Sequence, residues 1–284
     1  MNVPVSYIRR MLGECYPSHE AAALTRIVCC EMLGQRAVDY YLGKDITLSP
    51  NEEQTLQGIL ARLCKFEPLQ YIQGHARFMG RDFHVQPGVL IPRPETEELV
   101  ERMMGELGAG LHVLDVGTGS GCIAVTLALQ LPDARVSAWD VSPGALEVAR
   151  ANAAVLGVHV DFALRDVLSY EPSANERYDV IVSNPPYVTE SEKCCMEKNV
   201  LDWEPGLALF VPDDDPLLFY RRIAALGVRM LLPGGRLYFE INRAYGPATV
   251  DMLCAMGYAD VALSKDLSGN DRFVSARLQM PLVQ

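Results

Sequence analysis

The stretch with the most specific chemistry is Asn184-Pro185-Pro186-Tyr187. It follows the apolar run Tyr178–Val182, which reads as a strand. Prolines cannot continue a central strand, so the chain must leave the sheet there. The residue types suit a planar nitrogen that carries two N–H bonds. Such a nitrogen is a poor nucleophile because its lone pair is delocalised, and a site for it needs a fixed acceptor for each hydrogen. The Asn184 side-chain oxygen is one candidate acceptor. The Pro185 carbonyl is the other, since proline keeps its acceptor while lacking a donor. Tyr187 offers a flat face on which the planar group could stack. Held this way, the nitrogen points at an electrophilic methyl carbon for in-line transfer, with proximity and orientation supplying much of the rate. Neutral acceptors also stabilise the positive charge that grows on nitrogen. No general base is required at that step.

A second segment supplies the place for the methyl donor. Asp115-Val116-Gly117-Thr118-Gly119-Ser120-Gly121 joins a strand to a helix. Its glycines let the backbone turn tightly and approach a ligand closely. In a doubly wound sheet, nucleotide-like ligands lie beyond the carboxyl ends of the strands at such a loop. The spacing is G-x-G-x-G, not the G-x-G-x-x-G of dinucleotide binders, and no Lys-Ser or Lys-Thr follows, so it is not a phosphate-binding P-loop. Asp140 ends the next strand, 19 residues after Gly121, where a carboxylate can accept hydrogen bonds from both ribose hydroxyls. Asp166, after the third strand, fits either an adenine amino group or an ordinary loop role.

These residues need elements to position them. From residue 111 strands and helices alternate. The strands are Leu111–Val116, Arg135–Trp139, Val160–Ala163, Tyr178–Val182 and Arg236–Ile241, and the helices are Cys122–Leu131, Pro143–Leu156, Pro216–Met230 and Pro247–Met256. Asp260–Leu263 and Arg272–Leu278 close the chain as a tight strand pair. That order predicts an α/β fold, a mostly parallel doubly wound sheet covered on both faces, with one antiparallel strand. Upstream, residues 1 to about 70 read as wholly helical. Apolar residues recur at helical spacing, and Ser49-Pro50-Asn51-Glu52 is a capping box with proline at the first helical position. Phe78, Phe83 and Val85 suit a hairpin turning through Met79-Gly80-Arg81-Asp82, and Ile91-Pro92-Arg93-Pro94 stops any helix from crossing. The expected organisation is a small helical domain over 1–74, a β-hairpin linker over 75–92 and the catalytic domain over 93–284.

Composition excludes several classes. Apolar residues make up 49% and charged residues 21% of 284, which rules out disorder and low complexity. The net charge of −11 argues against non-specific binding to nucleic acid, which needs Lys and Arg to displace counterions. Arg221-Arg222 is a local exception, read as a solvated helix face. The eight cysteines form no C-x-x-C pair and the histidines no ligand spacing, so no metal is expected and the thiols read as reduced. Arg9-Arg10 leads into Met-Leu-Gly-Glu, not an apolar segment, and the longest uncharged run, Val116–Pro132, is short of a membrane span. The expectation is a cytoplasmic protein with no membrane partner.

The glycine loop and Asp140 resemble the class I S-adenosylmethionine-dependent methyltransferases. That resemblance implies a Rossmann-like sheet of seven strands with the last one antiparallel. It also implies S-adenosyl-L-methionine as cofactor, with S-adenosyl-L-homocysteine as product. The tetrapeptide is shared by enzymes that methylate the exocyclic amine of adenine in DNA or RNA and enzymes that methylate the glutamine side-chain amide. Further segments bear on that choice: Pro68-Leu69-Gln70-Tyr71-Ile72-Gln73-Gly74, Ile91-Pro92-Arg93-Pro94-Glu95-Thr96-Glu97, Glu204-Pro205 and Asp266-Leu267-Ser268-Gly269-Asn270-Asp271-Arg272. With the helical front domain they resemble the peptide chain release factor N(5)-glutamine methyltransferases, the PrmC/HemK family. The resemblance implies methylation of the glutamine in the Gly-Gly-Gln motif of class I peptide chain release factors, which tunes translation termination. Carried over by position, Gly117, Thr118, Gly119, Ser120, Gly121, Asp140, Asp166, Val167 and Asn184 would touch the cofactor. Asn184, Pro185, Pro186 and Tyr187 would hold the glutamine, with the Arg93-Pro94-Glu95-Thr96 segment shaping the pocket and Leu90 near it. The helical domain would dock the release factor. Two positions depart from the family pattern: Val167, where an aromatic is common, and Asn242, where glycine is common.

Overall fold

The computed structural model describes residues 2–279. By internal contacts the chain divides into two compact units. One comprises Met1–Gly74 with Lys198–Trp203, the other His75–Glu197 with Glu204–Gln284.

The first unit is built on the helices Val5–Gly13, Ser18–Ile27 and Pro50–Leu63. Their apolar stripes meet in a core that includes Ile8, Leu12, Val28, Leu56 and Leu63. The expected capping box is present: the Glu52 amide donates to Ser49 Oγ and the Ser49 amide to Glu52 Oε2 at 2.8 Å. The unit is not wholly helical. Asn2–Val3 pairs antiparallel with Ile46–Thr47, because Val3 and Ile46 bury their side chains in the same core. Residues 198–203 join from far along the chain, and Trp203 Nε1 donates to the Lys65 carbonyl at 3.1 Å.

The second unit is a seven-stranded sheet. Its strands are β1 (His112–Val116), β2 (Arg135–Asp140), β3 (Asp161–Leu164), β4 (Tyr178–Ser183), β5 (Leu231–Glu240), β6 (Tyr258–Lys265) and β7 (Asp271–Leu278). The order across the sheet is β6-β7-β5-β4-β1-β2-β3. Strands β1 to β5 run parallel, and β7 is antiparallel to both neighbours. Alternation along the strands divides the core. Val113, Val180, Val182 and Tyr238 face one cluster, with α1 (Pro94–Glu106), α2 (Cys122–Gln130) and α3 (Pro143–Leu156). Leu114, Val116, Ile181, Leu237 and Phe239 face the other, with α4 (Leu218–Met230) and α5 (Gly246–Ala255).

Several local expectations are revised. The hairpin His75–Phe78/Arg81–His84 turns on two residues, Met79 and Gly80, both at positive φ (50° and 74°). Arg81 and Asp82 belong to the return strand. Phe78 and Phe83 are fully buried in the first cluster, their rings edge-to-face at 5.8 Å, so the hairpin is packed core of this unit. No helix covers the crossover from β3 to β4 over residues 165–177. Its Tyr170 ring packs edge-on against Trp139. Arg222 on α4 donates to the Val167 carbonyl at 3.0 Å and to the Tyr170 carbonyl. Arg222 is therefore a clasp and not a solvated side chain, while Arg221 pairs with Asp215. Among the described residues, no helix is long and apolar enough to cross a membrane.

Candidate functional site

A cavity of about 410 Å³ opens at the carboxyl ends of β1, β2 and β4. Its wall brings together Gly117 to Ser120, Asp140, Asp166, Val167, Asn184 to Pro186, Leu90 and Arg93. Of the residues expected to bind cofactor or substrate, Gly121 and Tyr187 stand outside that lining.

The glycine loop is fixed before any ligand arrives. The Gly117 and Thr118 amides both donate to the Trp139 carbonyl at 2.9 Å. Asp140 Oδ2 accepts from the Gly119 amide and Oδ1 from the Ser142 amide, both at 2.8 Å. Asp140 thus ties the loop to the end of β2, and each oxygen keeps a further lone pair for a ligand hydroxyl. Burial pushes its carboxyl above the usual range. Gly117 and Gly119 sit at positive φ, and a side chain on either would meet no protein atom within 4 Å. What it would obstruct is the cavity. Gly121 has a different reason to be glycine. Its φ is 81°, and an added Cβ would lie 3.1 Å from the Ala149 Cβ, where α2 meets α3. Gly121→Ala is expected to cost about 1–3 kcal/mol of stability through this strain and crowding. Urea unfolding of the variant with an unshifted midpoint would contradict that.

Asp115 sits beneath the loop, fully buried. Its Oδ2 accepts from Thr118 Oγ1 at 2.6 Å, while Oδ1, near the Ala124 amide, makes no hydrogen bond of good geometry. Burial, with the nearby Asp140 charge adding to it, pushes the carboxyl up to about 7. A folded-state value above the unfolded one means that the contribution to stability is full below about pH 4 and is lost as pH rises through about 7. Asp115→Asn is expected to flatten that dependence, so the wild type should lose more unfolding free energy between pH 5 and 8.5 than the variant does. Equal losses would show that Asp115 does not titrate in this window. Ser120 Oγ, also buried, has no partner. Ser120 lines the cavity, and its unpartnered oxygen beside the open glycines fits a ligand whose near end carries N–H donors and positive charge, as the amino-acid end of S-adenosyl-L-methionine does.

On the far side of the cavity, Asp166 turns its own backbone. Its Oδ1 accepts from the Leu168 amide and its Oδ2 from Ser169 Oγ. This is the ordinary loop role, and it presents Asp166 and Val167 together at the wall.

The tetrapeptide leaves β4 as the prolines require. Asn184 Nδ2 donates to Thr96 Oγ1 at 3.1 Å, and Thr96 Oγ1 donates to Glu240 Oε2 at 2.7 Å. Tyr187 Oη donates to Glu240 Oε1 at 3.1 Å. The Tyr187 ring packs against the second core cluster. In this structure it braces the loop from behind. Neither Asn184 Oδ1 nor the Pro185 carbonyl accepts a hydrogen bond from any described residue. Two acceptors therefore stand unengaged at the cavity wall, which is the arrangement a planar N–H₂ group needs. Asn242 accounts for its own departure from glycine. Its Nδ2 donates to the Tyr187 carbonyl at 3.0 Å and to Glu192, and its Oδ1 accepts from the Ala244 amide. The side chain thereby pins the exit of the tetrapeptide. Arg93 pairs with Glu204 at 2.5 Å, and Glu204 Oε2 also accepts from the Ile91 amide. Arg93 is thus held at the wall by a buried carboxylate.

Glu240 and Glu204 take part here although sequence reasoning gave them no role, and Thr96, expected only as part of a pocket-shaping segment, bonds Asn184 directly. One signal was readable: Glu240 is a single carboxylate in the apolar run Leu237–Ile241, and buried charges are rare unless partnered.

Comparisons with known proteins bear on the family of the chain and on its fold. Residues 4–74 match the family model described as PrmC N-terminal domain, and residues 94–201 match Methyltransferase small domain. A release factor glutamine methyltransferase of Bacteroides thetaiotaomicron is 55% identical over 97% of this chain and 99% of its own length. One of Flavobacterium psychrophilum is 45% identical over 86% of this chain and 87% of its own. Among solved structures, a methyltransferase from Pyrococcus furiosus aligns with a TM-score of 0.54 and 17% identity, over 82% of this chain and all of its own, which speaks to the fold alone. A relative this similar across nearly the whole of both chains, with the front unit matched by its own family model, places the chain in the release factor glutamine methyltransferase family.

Proposed function

We propose that this protein transfers a methyl group from S-adenosyl-L-methionine to the side-chain amide nitrogen of a glutamine, that of the Gly-Gly-Gln motif in class I peptide chain release factors. The observation that carries the reading is the pair of unengaged acceptors, Asn184 Oδ1 and the Pro185 carbonyl, on the wall of the cavity that also holds the glycine loop. The names of the relatives support the same substrate.

The bound cofactor supplies an electrophilic methyl carbon. The chain's own residues do the rest. Gly117 to Ser120 would hold the amino-acid end, Asp140 would take the ribose hydroxyls, and Asp166 with Val167 would border the base. Asn184 and Pro185 accept the two amide hydrogens, which fixes the nitrogen in place and turns its π face toward the donor. As the N–C bond forms, the methyl–sulfur bond breaks and S-adenosyl-L-homocysteine is left as product, while positive charge grows on the nitrogen and both acceptors strengthen their hold. The surplus proton leaves afterwards to water. The stacking face expected of Tyr187 belongs to the same proposal, as do shaping of the pocket by Leu90, Pro186 and Arg93, docking of the release factor on the unit over residues 1–74, and action in the cytoplasm.

The test incubates the protein with methyl-labelled cofactor and either a bacterial class I release factor or an oligonucleotide. The expected result is label on the glutamine of the Gly-Gly-Gln loop. Label on nucleic acid with none on the release factor would overturn the reading.

A further inference from the structure

We propose that Glu240 is a positioning residue that sets the polarity of Asn184, so that the carboxamide presents its oxygen and not its N–H₂ to the substrate nitrogen. The inference rests on the reading above, in which Asn184 Oδ1 accepts from the substrate amide, and it names what keeps that oxygen facing the cavity.

An asparagine amide is nearly symmetric in shape. Rotation by 180° about its last bond exchanges oxygen for N–H₂ with little change in packing, and the N–H₂ face would meet the substrate as donor against donor. Something must therefore choose between the two orientations. Here the choice runs through a chain of hydrogen bonds whose direction is fixed by the one member that cannot donate. Burial raises the pKa of the Glu240 carboxyl, while the Thr96 and Tyr187 hydroxyls that donate to it and the nearby Arg272 charge favour its ionised form, and an ionised carboxylate only accepts. Glu240, 1% exposed, receives Tyr187 Oη on Oε1 and Thr96 Oγ1 on Oε2. Thr96 has one hydroxyl hydrogen, and Glu240 takes it. The threonine oxygen is then left as an acceptor, so the Asn184 atom 3.1 Å away must be the donor, Nδ2. Oδ1 is turned the other way. Each assignment follows from the one before it, and the first follows from the charge on Glu240.

Burying that carboxylate is costly unless hydrogen bonds and a nearby opposite charge compensate it, as the Thr96 and Tyr187 hydroxyls and Arg272 do here. A charge kept there is explained by its acceptor-only character. Glutamine has the same shape and lacks that character. In Glu240→Gln, the new Nε2 can donate to Thr96, which frees the threonine hydrogen to point at Asn184 Oδ1 and lets the amide turn over.

The experiment measures methyl transfer to a release factor, cofactor affinity and thermal unfolding in Glu240→Gln, Thr96→Val and Thr96→Ser, each in the full chain. Glu240→Gln is expected to lower kcat about 10- to 100-fold, less than the roughly 10²- to 10³-fold of removing a preorganised group outright, because Asn184 would still present its oxygen part of the time. Cofactor Kd should stay within about twofold, and the loss of kcat should not track any fall in unfolding temperature across the variants. Thr96→Val should lower kcat comparably, and Thr96→Ser, which keeps the hydroxyl, should restore it. The Glu240→Gln/Thr96→Val pair should lose little more than either variant alone, as expected of residues acting in one chain. Wild-type rates in Glu240→Gln or in Thr96→Val would overturn the inference. So would a loss in all three variants that tracks a fall in unfolding temperature, since that is a merely structural role. A wild-type protein that methylates no release factor would instead sink the substrate reading, so the two failures are distinguishable.

Discussion

Asn184→Ala is expected to reduce methyl transfer to a release factor by at least about 10²- to 10³-fold in kcat, the range found when one preorganised group is removed from a reacting centre. The reason is geometric. Of the two acceptors offered to the substrate nitrogen, the Pro185 carbonyl belongs to the backbone and survives substitution. The other is a side-chain atom, and alanine removes it. A nitrogen held by one hydrogen bond can rotate about that bond, and the alignment required for in-line attack is lost. Thr96 Oγ1 would also lose its donor, but Thr96 would keep its bond to Glu240, so the surrounding loop should hold. Cofactor affinity should fall much less than kcat, because neither the glycine loop nor Asp140, the residues proposed to hold the cofactor, is hydrogen-bonded to Asn184 among the described residues. The measurement is single-turnover transfer together with calorimetric cofactor binding. Turnover within about threefold of wild type would mean that the substrate nitrogen is not held by this side chain. Equal losses in kcat and cofactor affinity would move Asn184 from the substrate to the cofactor.

The parts of this site that were legible in sequence are those whose chemistry is local. Asn184-Pro185-Pro186-Tyr187 announces itself because prolines end a strand and the neighbouring types suit one nitrogen. The glycine loop does so because spacing distinguishes it from other nucleotide loops. A mostly parallel sheet followed from the alternation of strands and helices, and the close-spaced final pair signalled the antiparallel strand; the order across the sheet did not show. What could not be read depends on contacts made far along the chain. Thr96 and Glu240 are 144 residues apart, and only the placement of β5 beside β4, with α1 above them, brings them to Asn184. Residues 198–203 join the front unit for the same reason. Asn242 is instructive in another way. As a departure from a family pattern it carried no physical meaning until its Nδ2 was found on the Tyr187 carbonyl. Tyr187 had an obvious aromatic face but no visible hydroxyl partner, so its bond to Glu240 could not be anticipated.

The second large effect is expected at Asp140, and there the loss should fall on binding. Asp140→Ala should weaken cofactor affinity about 10- to 100-fold, as expected when hydrogen bonds to a charged group are removed at about 1.5–3 kcal/mol. Two contributions add. One is the loss of the acceptor for the ribose hydroxyls. The other is internal: without the carboxylate, the Gly119 and Ser142 amides lose the bonds that tie the loop to β2, and binding must then order a loop that the wild type holds in place. Asp140→Asn separates these contributions. Asparagine keeps one acceptor oxygen, but both carboxylate oxygens face backbone N–H donors, so its N–H₂ must confront one of them. If loop anchoring matters, Asp140→Asn should resemble alanine in affinity despite its near-identical shape. If only the ribose matters, asparagine should retain most of the binding, since it can still accept from one hydroxyl. Titration calorimetry reads the constant directly. Thermal unfolding with and without cofactor gives an independent check, because stabilisation by a ligand falls as its dissociation constant rises. An unchanged constant in Asp140→Ala would remove the ribose assignment, and with it the orientation of the cofactor on which the approach to Asn184 depends.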